Sequence, residues 1–186
     1  RSDGSMFCWG NNYYGNLGNN ARGGIGGSPN QSSPVQVLNG QSFTSISSGY
    51  NQWVGVQANG TMFSWGLNRG GTLGFEGPGT GVNDCVSSPV QIGSLTNWAG
   101  FGVTDASGTN ILGFGNVNGV SPSNTTYQTS WLKTKTDGTL WAWGNGGAGA
   151  IGKGNTTSYS SPVQIGTSTS WVSAYSGYGS AWAFEE

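Results

Sequence analysis

Few residues in this chain could do chemistry. Its 186 residues include no histidine, which removes the usual general base and the commonest metal ligand. The acids are Asp3, Glu76, Asp84, Asp105, Asp137, Glu185 and Glu186. Asp3 and Asp137 each precede a glycine, and an Asp-Gly turn accounts for both without catalysis. Glu185 and Glu186 are expected in solvent. Glu76 and Asp84 share one Gly-rich stretch, where two carboxylates with loop carbonyls would suit Ca²⁺ or acid–base work. The plainer reading is two solvated loop acids. Cys8 and Cys85 are too few for a disulfide framework and lack metal-type spacing. Gly70-Gly71 and Gly146-Gly147 lack the lysine and following helix of a phosphate-binding loop. The expectation is a chain with no catalytic residue, no metal and no cofactor.

The elements that would position any site are written as a repeat. Ser-Pro-Val-Gln occurs at Ser33–Gln36, Ser88–Gln91 and Ser161–Gln164. Each copy follows an aromatic segment ending in Trp-Gly, namely Phe7-Cys8-Trp9-Gly10, Phe63-Ser64-Trp65-Gly66 and Trp141-Ala142-Trp143-Gly144. A tight turn precedes each aromatic segment, at Asp3-Gly4, Asn59-Gly60 and Asp137-Gly138. A weaker version runs from Ser107-Gly108 to Phe114-Gly115. Between Trp-Gly and Ser-Pro-Val-Gln lies an Asn/Gly loop closing at Leu17-Gly18, Leu73-Gly74 or Ile151-Gly152, then a variable insert. Two short apolar strands around a glycine finish the unit, as in 43–56 and 171–184.

This grammar predicts four units, at about 3–57, 58–105, 106–135 (degenerate) and 136–186. No segment carries the apolar period of a helix. Units of short strands stacked side by side describe an all-β propeller, whose repetition protects its sheet edges. The repeat-equivalent aromatics Trp9, Trp65, Phe114 and Trp143 are predicted to pack in the core, and the Cys8 slot, held by Ser64 and Ala142 elsewhere, asks for a small buried residue.

Composition narrows the function. Only 7% of residues are charged and the formal net charge is −1, against roughly 25% charged in an average soluble protein. Without clustered Lys and Arg, nucleic-acid binding is not expected. No apolar run reaches membrane-spanning length, so no membrane insertion is expected. The 36 glycines read as turns, because 12% of residues are aromatic, more than a disordered chain carries.

The turn, the aromatic Trp-Gly strand, the Asn/Gly loop ending in Leu-Gly, the Pro-Val strand and the Gly-containing hairpin together resemble the regulator of chromosome condensation repeat family. The match runs over nearly the whole chain and is strong for the first, second and fourth units. The resemblance implies a seven-bladed propeller, of which four units would be a partial ring. The chain opens directly on a repeat and is expected to be part of something larger. The founding nuclear member is an exchange factor for a small GTPase and docks on chromatin through charged faces, which this charge-poor chain cannot reproduce. The family's last hairpin commonly carries a histidine. Tyr50-Asn51-Gln52 and Tyr178-Gly179-Ser180 stand in that place here. The Gly- and Ser-rich style resembles copies in bacteriophage structural proteins and in exported bacterial proteins.

The inserts should emerge on one face and form adaptable binding loops. The candidate binding residues there are Tyr13, Tyr14, Arg22, Arg69, Glu76, Asp84 and Tyr159. The leading expectation is a non-enzymatic structural or adhesion module on a virion surface or outside a bacterial cell, assembling with protein partners through loops and edges. A dedicated protein binder, such as an enzyme inhibitor or a GTPase partner, is the alternative, and a glycan-binding module is the third.

Overall fold

The structure is a computed structural model that describes residues 3–21, 30–37, 42–49, 51–68, 71–76, 85–99, 103–104, 110–111, 130–176 and 180–186. Phe114, Arg22, Arg69 and Asp84 lie outside the described residues, as does most of the degenerate unit. Among the described residues, thirteen strands build antiparallel sheets. In chain order they are β1 (Phe7–Gly10), β2 (Gln31–Gln36), β3 (Ser45–Ser48), β4 (Gln52–Val56), β5 (Met62–Leu67), β6 (Cys85–Gln91), β7 (Val103–Thr104), β8 (Asn110–Ile111), β9 (Ser130–Thr134), β10 (Leu140–Gly144), β11 (Tyr159–Ile165), β12 (Trp171–Ser176) and β13 (Ala181–Glu185).

The sheets are offset from the sequence repeat. The Trp-Gly strands β5 and β10 pair on one side with their own Ser-Pro-Val-Gln strand and on the other with the hairpin that closes the preceding repeat. The complete case is β3-β4-β5-β6, in which Trp53 stands opposite Trp65 and Val54 opposite Ser64. The sheet β11-β10-β9 repeats the pattern, with Trp131 opposite Trp143 and Leu132 opposite Ala142. Half-sheets flank these two: β1-β2 with no hairpin among the described residues, and β12-β13, a hairpin with no Trp-Gly strand. The two-residue pair β7-β8 stands apart.

The turns form as their sequences demand. Asp3 Oδ1 accepts from the Ser5 N–H at 2.8 Å and Asp137 Oδ1 from the Thr139 N–H at 3.0 Å. Those bonds hold the Asp137 carboxyl below the usual carboxylate range, Thr139 contributing most. The glycine of each turn then presents its carbonyl to an aromatic residue, Gly4 to Phe43, Gly60 to Trp98 and Gly138 to Trp171.

Two apolar clusters fill the space between sheets. One holds Val54, Val56, Met62, Ile92, Trp98, Trp131 and Trp143, and the other Cys8, Leu17, Val37, Phe43 and Trp65. Trp65 and Trp143 are 0% exposed, as expected of core residues. Trp9, expected to match them, is 63% exposed. The reason is positional. Trp65 and Trp143 are covered by the loop of the preceding sheet, and the first sheet has no such loop on its Trp9 side among the described residues.

Candidate protein-docking surfaces

The Asn/Gly loops show what such a repeat can hold. In the first loop the buried Asn12 Oδ1 accepts from the Leu17 N–H at 3.1 Å, while its Nδ2 donates to the Ala21 carbonyl at 3.0 Å. Asn68 repeats both bonds, to the Leu73 N–H at 3.0 Å and the Phe75 carbonyl at 3.2 Å. A single buried amide thus closes each loop into a rigid ring, and the spacing two residues beyond Trp-Gly is the sequence signal for it. The fourth unit has Gly146 in that place, and the Ser158 hydroxyl accepts its N–H instead.

These loops receive the next sheet. The Trp65 indole N–H donates to the Asn16 carbonyl at 3.1 Å and the Trp143 indole N–H to the Thr72 carbonyl at 3.3 Å. The neighbouring glycines allow the approach, since a Cβ on Gly18 or Gly74 would stand 2.9 or 3.0 Å from the indole nitrogen. An earlier glycine of each loop meets the next Ser-Pro-Val-Gln strand as closely. A Cβ on Gly15 would lie 2.6 Å from the Ser87 Cα, and Gly71 faces the Ser160 Cα in the same way.

Of the loop residues singled out in the sequence, Tyr13 and Tyr14 come together, with ring centroids 4.7 Å apart and nearly perpendicular. Tyr13 is 41% exposed and its N–H is fixed by the Asn11 side chain. Glu76 is exposed on the loop of the second unit, whereas Tyr159, expected on the loop of the fourth, is half-buried and opens β11, paired with Gly144. Among the described residues no group of three or more His, Cys, Asp or Glu could hold a metal. Cys8 is buried and Cys85 half-buried, and no disulfide joins them. Burial pushes the Cys8 thiol up to about 11, so it stays protonated and unreactive near neutral pH.

Two groups of residues were not singled out as functional in the sequence, although edges were expected to dock partners. One is the pair of open edges, where Trp9, Val172, Trp182 and Phe184 are exposed. The signal was available in the offset between repeat and sheet, which leaves one half-sheet at each end. The other is Lys133, buried on β9 opposite Trp141, with its ammonium pushed down to about 7 by burial. Beside it Lys135 Nζ sits 3.7 Å over the Trp141 ring and 5.1 Å from that of Trp98, a cation–π seat to which the nearby Asp137 carboxylate adds its charge.

With this geometry in place, the comparisons assign the class. The profile of the Regulator of chromosome condensation (RCC1) repeat matches residues 3–56 and 137–183. That is more than half of the chain, and the chain belongs to the RCC1 repeat family. Its fold is that of Prp20p from Saccharomyces cerevisiae, with TM-score 0.67, 14% identity and 96% of this chain covered. That structure was described with the binding properties of Prp20p to Gsp1p and histones. Yeast RCC1 (Prp20) in complex with Kap60 matches at TM-score 0.66 and 13% identity over 98% of this chain, and human WBSCR16 at 0.60 and 19% over 98%. The chain spans 38 to 40% of the length of these propellers.

Proposed function

We propose that this chain is a non-enzymatic structural or adhesion module that joins protein partners through the open edges of its propeller sheets. The observation that carries this reading is the exposure of Trp9, Val172, Trp182 and Phe184 at the two half-sheets. Side chains of this size, grouped on unpaired sheet edges, lower their free energy by being covered. The scarcity of charge and of acid–base groups agrees with a passive scaffold. The Gly- and Ser-rich, charge-poor composition supports display outside a cell or on a virion surface, which immunogold labelling of the source organism would test.

The edge reading is tested by replacing Trp9, Trp182 and Phe184 together with serine. The variant should keep its far-UV circular dichroism, lose most binding of an apolar surface dye and lose association with partner chains. Dye binding and association that survive the three changes would rule the edges out as docking surfaces.

A second reading rests on the Tyr13–Tyr14 pair. An exposed tyrosine, Tyr13, backed by the half-buried Tyr14 on a loop locked by a buried asparagine, is an anchor of the kind used by dedicated protein binders. If they anchor a partner, Tyr13→Ala should weaken its binding on the order of tenfold or more, with the melting temperature unchanged. A glycan ligand for the same loops would be recognised by a glycan array.

A further inference from the structure

Among the described residues, the two half-sheets β1-β2 and β12-β13 are the two halves of one interface that the chain already builds internally, and each half lacks what the other carries. On the β1 side, Gly10 has open space around it, whereas its equivalent Gly66 is pressed against the Asn51 carbonyl of the preceding hairpin. Ser32 is exposed where Ser87 and Ser160 are half-buried under a preceding loop. On the opposite side, Gly149 has nothing within 4 Å and Gly152 only the Ile165 side chain, whereas Gly15, Gly18, Gly71 and Gly74 all abut the following sheet. Strand β13 pairs only with β12 among the described residues, while β4, in the same place, pairs on both sides.

The apolar clusters make the same point. Val37, Phe43 and Trp65 of one cluster stand in the places of Ile92, Trp98 and Trp143 of the other. Val54 and Val56, supplied by a hairpin strand, have no counterpart in the cluster around Phe43. The residues at those two positions of β13 are Trp182 and Phe184, since Ser173 faces Phe184 and Tyr175 faces Trp182 as Ser45 faces Val56 and Ser47 faces Val54. Both are 59% exposed. They are bulkier than the valines, and Phe43 for Trp98 with Val37 for Ile92 leaves the receiving cluster correspondingly smaller.

We propose that a second copy of this chain docks head to tail, adding its β13 along the side of β1 away from β2 and seating the Trp9 indole over its own Ala150–Gly152 loop. The register follows from the internal pairs Trp53 to Trp65, Val54 to Ser64 and Val56 to Met62. It sets Ala181 opposite Trp9, Trp182 opposite Cys8 and Phe184 opposite Met6. Trp9 then donates to the Ala150 carbonyl as Trp65 and Trp143 donate to those of Asn16 and Thr72. The contact is heterologous, so it propagates from copy to copy until the arc closes. This docking rests on the edge reading above and adds the identity of the partner and its register.

The test is a sedimentation series on the intact chain across a wide concentration range, with hydrogen exchange at both ends of it. The expected result is growth from a 19.1 kDa monomer to larger species, with rising protection of the amides of β1 and β13 together. Trp182→Asp with Phe184→Asp should hold the chain monomeric with an unchanged circular dichroism spectrum. Mixing that variant with a Trp9→Asp variant should restore pairing, because each then offers one intact half. Association without new protection in β1 and β13 would overturn the head-to-tail register while leaving edge docking standing. A chain that stays monomeric throughout would overturn the second copy as occupant and leave the edge to a further blade, whereas failure of the serine variant to lose dye binding would remove the edge reading itself.

Discussion

Trp65 and Trp143 each tie two sheets together with one indole, which fills the space between sheets while its N–H closes on a carbonyl of the loop before it. Truncating such a residue removes apolar area and leaves a cavity and an unmet carbonyl. Trp143→Ala should therefore cost on the order of 3–5 kcal/mol, whereas Trp9→Ala in the monomer should cost less than about 1 kcal/mol. Equal losses in denaturant titrations would show that exposure does not separate these positions. Lys133 sets a pH dependence with a definite sign. Its usual value of 10.5 falls to about 7 in the fold, so between about 7 and 10.5 the unfolded chain holds a proton that the folded chain does not, and stability rises with pH. Below that window the lysine is charged in both states and the full cost of burying it remains. Cys8 acts oppositely at higher pH. Its value rises from 9.0 to about 11, so above pH 9 the unfolded thiol ionises first, which lowers stability. The two effects offset one another between about pH 9 and 10.5, so the rise should level off there, and Lys133→Met should remove the rise below it. A wild-type chain equally stable at about pH 6 and about pH 9 would refute the assignment.

At the level of elements, the loop glycines isolate what one sheet gains from its neighbour. Gly15, Gly71 and Gly149 have φ of 76°, 74° and 77°, so alanine at any of them carries the same left-handed strain of roughly 1–2 kcal/mol. Only Gly15 and Gly71 also face the backbone of the next sheet, and Gly149 faces open space. Gly15→Ala should therefore destabilise the monomer clearly more than Gly149→Ala, and equal effects would mean the sheets do not bear on one another there. The strands themselves were legible in the sequence. Alternating aromatics ending in Trp-Gly and Asp-Gly turns have local causes, and Cys8 followed from the small residues in its sister positions. The Ser-Pro-Val-Gln strands were legible too, but they begin earlier than the motif, at Gln31, Cys85 and Tyr159, so the proline lies inside each strand rather than at its start. Trp9 was misjudged because its burial depends on a neighbouring sheet, which no local pattern records. Asn12 and Asn68 look like ordinary polar loop residues until the loop closes around them. Lys133 stands where Gly55 stands in the sister sheet, and nothing near it in sequence announces a buried charge.

Across the whole molecule, stability is distributed as in other stacked repeats, as a sum of sheets and the contacts between successive sheets. The two inner sheets each have a neighbour on both sides, and β5 and β10 are hydrogen-bonded along both edges. The half-sheets β1-β2 and β12-β13 have one neighbour each, and β13 is exposed over most of its length. Opening a half-sheet exposes little that is buried, so it should occur at much lower free energy than opening the interior, without a global transition. Native-state hydrogen exchange on the monomer should then show the slowest amides in Gln52–Leu67 and Ser130–Gly144. Those in Ala181–Glu185 should exchange fastest of the strand amides, and those of Phe7–Gly10 should be intermediate because Cys8 and Leu17 hold them to the Trp65 cluster. Uniform protection across all strands would mean that the chain unfolds as one block and that the one-dimensional account is wrong. A gradient that flattens only when copies associate would show that the ends gain by docking the same stabilisation that the inner sheets already have.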